Sequence, residues 1–162
     1  MGAIRFRYDV PLADTMDFEV VYHQALQLDL PQKEKLRRTS GAIFVWMYVD
    51  GALAGESYGF PLAGSDGPLS GLAGLAESEK RSGFHCYSNT ILPAFQGQGW
   101  GTVLKAHWLG LVVGAGYEVV YGHARPGRSQ ELNARFGAVF LESFPDWGGT
   151  GEEYKLYRLA LK

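Results

Sequence analysis

Residues 96–101 read Gln-Gly-Gln-Gly-Trp-Gly and stand between an apolar run that ends at Pro93 and a longer apolar stretch. Glycine at 97, 99 and 101 removes the Cβ atoms that would hold a ligand away from the backbone, and permits the positive φ angles of a tight strand-to-helix turn. If a helix starts there, its first N–H groups point into the loop, where a phosphate can accept from them. The segment is a candidate diphosphate cradle. Two side chains are candidates for moving a proton. Glu56 lies within GALAGESYGF, small and apolar surroundings in which a carboxylate is unusual, although a solvent-facing strand carboxylate is the alternative. His123 follows Gly122 at the end of a predicted strand, and an imidazole pKa of about 6.5 suits proton transfer. A structural histidine bonded to a loop carbonyl is the other reading. His23, His85 and His107 read as structural, and no Cys/His cluster has metal-ligand spacing, so no metal site is expected. Arg125 and Arg128 read as solvated, although they could meet phosphates.

The elements that must position these residues follow from periodicity. Alternation over 4–10 predicts a first strand. Helical spacing with Asp14 as cap runs to Leu28, and Pro31 opens a second short helix through the charged run 32–38. The aromatic run 42–49, Asp50-Gly51 and the return 52–60 form a hairpin. Residues 61–83 are rich in Gly, Ser and Pro and read as a surface excursion with at most a short helix. Strands are predicted over 84–92, 118–124, 139–144 and 154–161. A helix spans 101–115 with Leu104, Trp108, Leu111 and Ala115 on one face, and a shorter one spans 129–136. Neither an internal repeat nor a domain boundary is visible.

Two familiar phosphate motifs do not fit. A Walker loop needs Gly-Lys-Ser/Thr at its end, which is absent. A dinucleotide fingerprint would place glycine where Thr102 stands, and too little chain follows for its second half. The pattern Gln/Arg-x-x-Gly-x-Gly/Ala does fit Gln96 to Gly101, after a strand and before a long helix. Together with the strand, the short helix and Asn133-Ala-Arg-Phe-Gly-Ala that follow, it resembles the acetyl-CoA site of the GNAT superfamily of N-acyltransferases, over about residues 84–144.

The resemblance implies an α+β fold over 1–162 as one domain: a mixed, mostly antiparallel sheet flanked by helices, with a splay between the two central strands. It implies acetyl-CoA as cosubstrate and direct transfer of its acetyl group to the amine of a small molecule or peptide. Backbone at Gln96, Gly97, Gln98, Gly99, Gly101 and Thr102 would hold the pyrophosphate, and Ile91 and Leu92 would pair with the pantetheine arm. Glu56, directly or through water, would be the base, with His123 second. Family members often protonate the leaving thiolate from a tyrosine at the position that Asn133 occupies here. An amide is no general acid; Asn133 could instead hydrogen-bond the pantetheine, and a CoA-binding or regulatory module with little or no transfer is the alternative function. Members are often dimers, which leaves a homodimer open.

Composition bounds the rest. The 162 residues carry 15 basic and 17 acidic side chains, net −2, with no long basic run, so nucleic acid is not an expected partner. The start MGAIRFRYDV does not look like a signal peptide, and the longest apolar stretch, 108–117, is too short to span a bilayer. Cys86 is the sole cysteine and reads as a small buried hydrophobe; with no intrachain disulfide, the expected setting is cytoplasmic.

Overall fold

The computed structural model describes residues 2–64, 71–72 and 74–161. Its strands are β1 Ile4–Arg7, β2 Ile43–Val49, β3 Ala52–Pro61, β4 Gly83–Ile91, β5 Val119–Ala124, β6 Val139–Phe144 and β7 Tyr154–Ala160. They form one seven-stranded sheet in the order β1-β2-β3-β4-β5-β7-β6. Every pairing is antiparallel except β4 with β5. Four α-helices accompany them: α1 Leu30–Arg37, α2 Glu77–Ser82, α3 Trp100–Gly114 and α4 Arg128–Arg135.

Local chemistry accounts for most of these elements. Asp50 and Gly51 both take positive φ, 50° and 83°, as a two-residue hairpin turn requires. β2 is buried along nearly its whole length because both faces are covered, so its sequence IFVWMYV is apolar throughout rather than alternating. Asp29 caps α1 in a reciprocal box with Gln32, and Pro31 sits in the first turn. Gly116, at φ 97°, stops α3.

Three expectations are corrected. Residues 14–28 do not form an α-helix: Leu12–Val21 and Gln24–Leu26 are 3₁₀ segments, and Pro11 rather than Asp14 stands at the first cap. The Thr15 hydroxyl donates to Leu12 O at 2.8 Å, the kind of local bond that competes with a helix ladder. The buried stripe of α3 is Trp100, Leu104, Trp108 and Val112; Leu111 is only partly buried and Ala115 is exposed. β1 ends at Arg7, short of Val10. In the 61–83 excursion, residues 62–64 form a 3₁₀ turn and α2 follows, while 65–70 and 73 lie outside the described residues.

The sheet separates two cores. Val45, Met47, Phe84, Leu104, Trp108, Val112, Val120 and Leu159 pack on the α3 face. Val10, Leu12, Phe18, Phe44, Trp46 and Tyr58 pack on the other, beneath the 3₁₀ segments. The feature that positions a site is the β4–β5 pair. It holds only from Gly83–Cys86 against Val119–Gly122. Beyond it β4 is paired with β3 alone and β5 with β7 alone. The register against β3 skips Tyr87, since Gly59 faces Cys86 and Tyr58 faces Ser88. Such a bulge bends its strand, and β4 turns away from β5 where Tyr87 is inserted. Among the described residues no helix is long and apolar enough to cross a membrane.

Candidate active site

The glycine loop lies where β4 leaves the sheet. Gly99 is the cap of α3 at φ 86°, and nothing lies within 4 Å of where its Cβ would be. Gly97 is also left-handed, and the Arg128 guanidinium stands 3.9 Å from its Cβ position. Arg128 therefore brings cationic charge to the cradle, whereas Arg125 is held by Glu152 at 3.0 and 3.3 Å. Side chains brace the loop: Gln96 Nε2 donates to Ile91 O at 2.9 Å and Gln98 Nε2 to Ala94 O at 3.5 Å. Gly101 and the exposed Thr102 form the first turn of α3, with Leu132 of α4 close to Gly101.

Leu92 turns both backbone groups inward, its N–H to Ala54 O and its carbonyl to Phe95 N, each at 2.9 Å. Strand alternation then aims Asn89 and Ile91 at the splay, so they form the open edge of β4. Two buried amides flank this cleft. Asn133 Nδ2 donates to Ser129 O at 2.8 Å, and Asn89 Nδ2 to Gly101 O at 3.5 Å. The Oδ1 atom of each is buried without a partner among the described residues. An unmade buried hydrogen bond costs about 1–3 kcal/mol, so both oxygens await a donor.

Glu56 is placed on the opposite face. It is fully buried; Lys33 Nζ donates to its Oε1 at 2.9 Å and Oε2 at 2.8 Å, and Trp46 Nε1 donates to Oε2 at 2.8 Å. Lys33, also 0% exposed, donates to Thr15 O at 3.3 Å. Glu19 is nearly as buried: its Oε1 accepts from Leu28 N at 3.0 Å, and its Oε2 lies 3.1 Å from Lys33 Nζ without hydrogen-bond alignment. Two carboxylates thus share one lysine. Burial pushes the Glu56 carboxyl from its ordinary 4.5 up to about 7, against the pull of Lys33.

Across the ladder from Glu56 stands Thr90. Its Oγ1 donates to Tyr22 Oη at 2.7 Å and lies 3.0 Å from Ser88 Oγ, and Tyr22 also contacts Ser88. These three hydroxyls form a closed group just past the bulge. The buried Tyr58 hydroxyl, on the same face, has no partner among the described residues. Burial raises the pKa of both Tyr22 and Tyr58.

His123 shares that face, one residue beyond the last β4–β5 pair. Its ring stacks on Trp147 at 4.2 Å and meets Phe144 edge-on at 5.6 Å, which fixes its plane. His85 lies 6.0 Å away, and burial, followed by the nearby His123, lowers its pKa to about 3. Glu56 and His123 therefore share one face of the sheet but stand on strands separated by β4. Among the described residues no group of three or more His, Cys, Asp or Glu could hold a metal ion.

Sequence reasoning missed Glu19, Lys33 and the Tyr22 hydroxyl group, and named Arg128 only as a solvated residue that could meet phosphates. Lys33 lies in a run that reads as a solvated helix face, and no sequence signal marks it.

No protein-family model matches the chain, and no curated protein matches it by sequence. Solved structures do. A GNAT-family protein from Desulfovibrio desulfuricans matches with a TM-score of 0.68 at 20% identity, over 99% of this chain and 100% of that one. YncA of Salmonella typhimurium, solved with its cofactor acetyl-CoA, matches with a TM-score of 0.71 at 17% identity, over 99% and 95%. The ribosomal-protein-S18-alanine N-acetyltransferase of Escherichia coli matches with a TM-score of 0.74 at 11% identity, over 99% and 95%. The α+β fold of this chain is that of the GNAT superfamily.

Proposed function

We propose that this protein is an N-acetyltransferase that moves an acetyl group from acetyl-CoA directly to the amine of a small molecule or peptide. The observation that carries it is the parting of β4 from β5 beside the N-terminus of α3, where Gly99 leaves the backbone open. The residues fit the cosubstrate. Backbone from Gln96 to Gly99, with Gly101 and Thr102, would hold the pyrophosphate beside Arg128, and the open edge at Asn89 and Ile91 would take the pantetheine as an added strand. The orphaned Asn133 and Asn89 oxygens are acceptors for its amide N–H groups. When bound, acetyl-CoA supplies an activated thioester; the chain supplies position and proton transfer.

In this reading the acceptor amine enters on the face of Glu56 and gives up a proton before attack. Glu56 is sealed, so it takes the proton indirectly, with Thr90 facing it across the ladder. His123, beside the vertex of the splay, is the second candidate base. Active Glu56 is the carboxylate, so kcat/KM should rise with pH through about 7. Glu56→Gln should remove that ascending limb and lower kcat by about 10²–10⁴-fold. An unchanged pH–rate profile would remove Glu56 from the mechanism.

Asn133 in the place of a proton-donating tyrosine favours the second reading, a CoA-binding module that transfers little. Calorimetry with acetyl-CoA, followed by CoA release in the presence of an amine panel, separates the cases. Binding with amine-dependent release supports the transferase, binding without release supports the module, and absence of binding at millimolar acetyl-CoA sinks both.

A further inference from the structure

On the α3 face of the splay lies a second buried ionisable cluster with no part in the reading above. Lys105, in α3, is 1% exposed and makes no ion pair among the described residues. Its Nζ meets Tyr157 Oη at 3.2 Å and Cys86 Sγ at 3.9 Å, and lies over the Tyr157 ring at 5.2 Å. A buried ammonium without a counter-charge opposes folding, and it persists where something else requires it.

Its location is informative. Cys86 and Gly122 form the last pair before β4 and β5 part. Tyr157 faces Gly122 on β7, and a side chain at Gly122 would collide with the Tyr157 hydroxyl. Glycine there leaves the vertex of the splay to the phenol and the ammonium. From Ile91 to Cys86 is about 16 Å of strand at about 3.3 Å per residue. A pantetheine laid along that edge from the glycine loop directs its sulfur toward this vertex.

We propose that Lys105 and Tyr157 form the acid of the transfer, taking up the charge of the departing thiolate and returning its proton in place of the group that Asn133 cannot supply. This rests on the acetyltransferase reading. As the new N–C bond forms, the acyl C–S bond breaks and its electron pair stays on sulfur. Tyr157 passes its hydroxyl proton to that sulfur as it takes one from Lys105, so that the lysine is the net donor and no free phenolate forms. Solvent restores the lysine as CoA leaves, and the proton lost by the amine departs on the Glu56 side. One proton is released for each ammonium acetylated. Burial, then the Cys86 thiol, holds the Tyr157 phenol well above its ordinary range, so the phenol does not ionise by itself and acts only as a relay for the Lys105 proton.

The ionisable groups facing the vertex are Lys105 from α3, Cys86 from β4 and Tyr157 from β7; β5 contributes Gly122. The first measurement needs no turnover. The ultraviolet absorbance of thiolate is titrated in the complex with product CoA and referenced to the complex with desulfo-CoA, which cancels Cys86. The bound thiol should titrate below free CoA, and Lys105→Met should restore the free value. A bound thiol that titrates like free CoA in both proteins overturns the proposal. In kinetics, Tyr157→Phe should lower kcat by about 10²–10⁴-fold while the acetyl-CoA Kd stays within about threefold. Unchanged kcat in a folded Tyr157→Phe likewise overturns it. Should that variant not fold, the thiol titration of the unmodified protein decides alone. If the unmodified protein binds no CoA, the acetyltransferase reading falls and this inference with it, whereas binding with a normal thiol removes only the inference.

Discussion

Lys33→Met is expected to destabilise the protein by about 3–5 kcal/mol at pH 8, because it leaves two buried carboxylates without their shared cation. Lys33 is fully buried between Glu56, at 2.8 Å, and Glu19, at 3.1 Å, so water cannot replace it. The loss should shrink at pH 5, where the orphaned carboxylates take up protons instead of remaining charged. Glu56 supplies the sign in the intact protein. Its folded pKa of about 7 lies above the ordinary 4.5, so its protonated form favours the fold. That contribution is full below about 4.5 and is lost as pH rises through about 7. Urea unfolding of the intact protein, Lys33→Met and Lys33→Met/Glu19→Gln at both pH values checks this. The double variant should recover part of the loss by removing one stranded charge. A loss under about 1 kcal/mol, or one indifferent to pH, would show that the two carboxylates do not depend on the lysine.

Gly99→Trp is expected to weaken acetyl-CoA binding by at least about 100-fold, by placing an indole in the cradle whose hydrogen bonds and helix dipole hold the anion. No heavy atom beyond its chain neighbours stands within 4 Å of the new Cβ, so the substitution starts in open space. The residual cost is the left-handed backbone at φ 86°, about 1–2 kcal/mol for a residue with a Cβ. Gly116→Trp is the control. It carries the same kind of strain, at φ 97°, with open space around it, but at the far end of α3. Calorimetry should find the cofactor affinity lost in the first variant and kept in the second, with similar shifts in Tm. Equal affinities in both would place the pyrophosphate elsewhere.

Much of the fold was legible because its cues are local. The Asp50-Gly51 turn, the capped α1, the glycine stops of α3 and α4 and the seven strands each follow from a few neighbouring residues. Expectation failed where local cues compete, as in the 3₁₀ segments from Leu12 to Leu26. The site divides the same way. The glycine loop is one continuous hexapeptide, readable because its left-handed turns at Gly97 and Gly99 depend on adjacent backbone alone. Glu56 was conspicuous for its apolar neighbours, but not its partners: Lys33 is 23 residues away and sits in a charged run that resembles a solvent face. Lys105 lies in an apolar helix, yet its meeting with Tyr157, 52 residues on, has no trace in either segment.

By itself, then, the sequence determined the order of strands and helices and the glycine loop at the start of α3, since both depend on backbone periodicity and conformational freedom over a few residues. Only the tertiary structure decided where β4 parts from β5, which lysines are buried, and that Glu56 and the Lys105–Tyr157 pair stand on opposite faces of one sheet. The physical reason is that a side chain's charge state and partners depend on what distant segments exclude from water around it, and that exclusion exists only once the chain has packed.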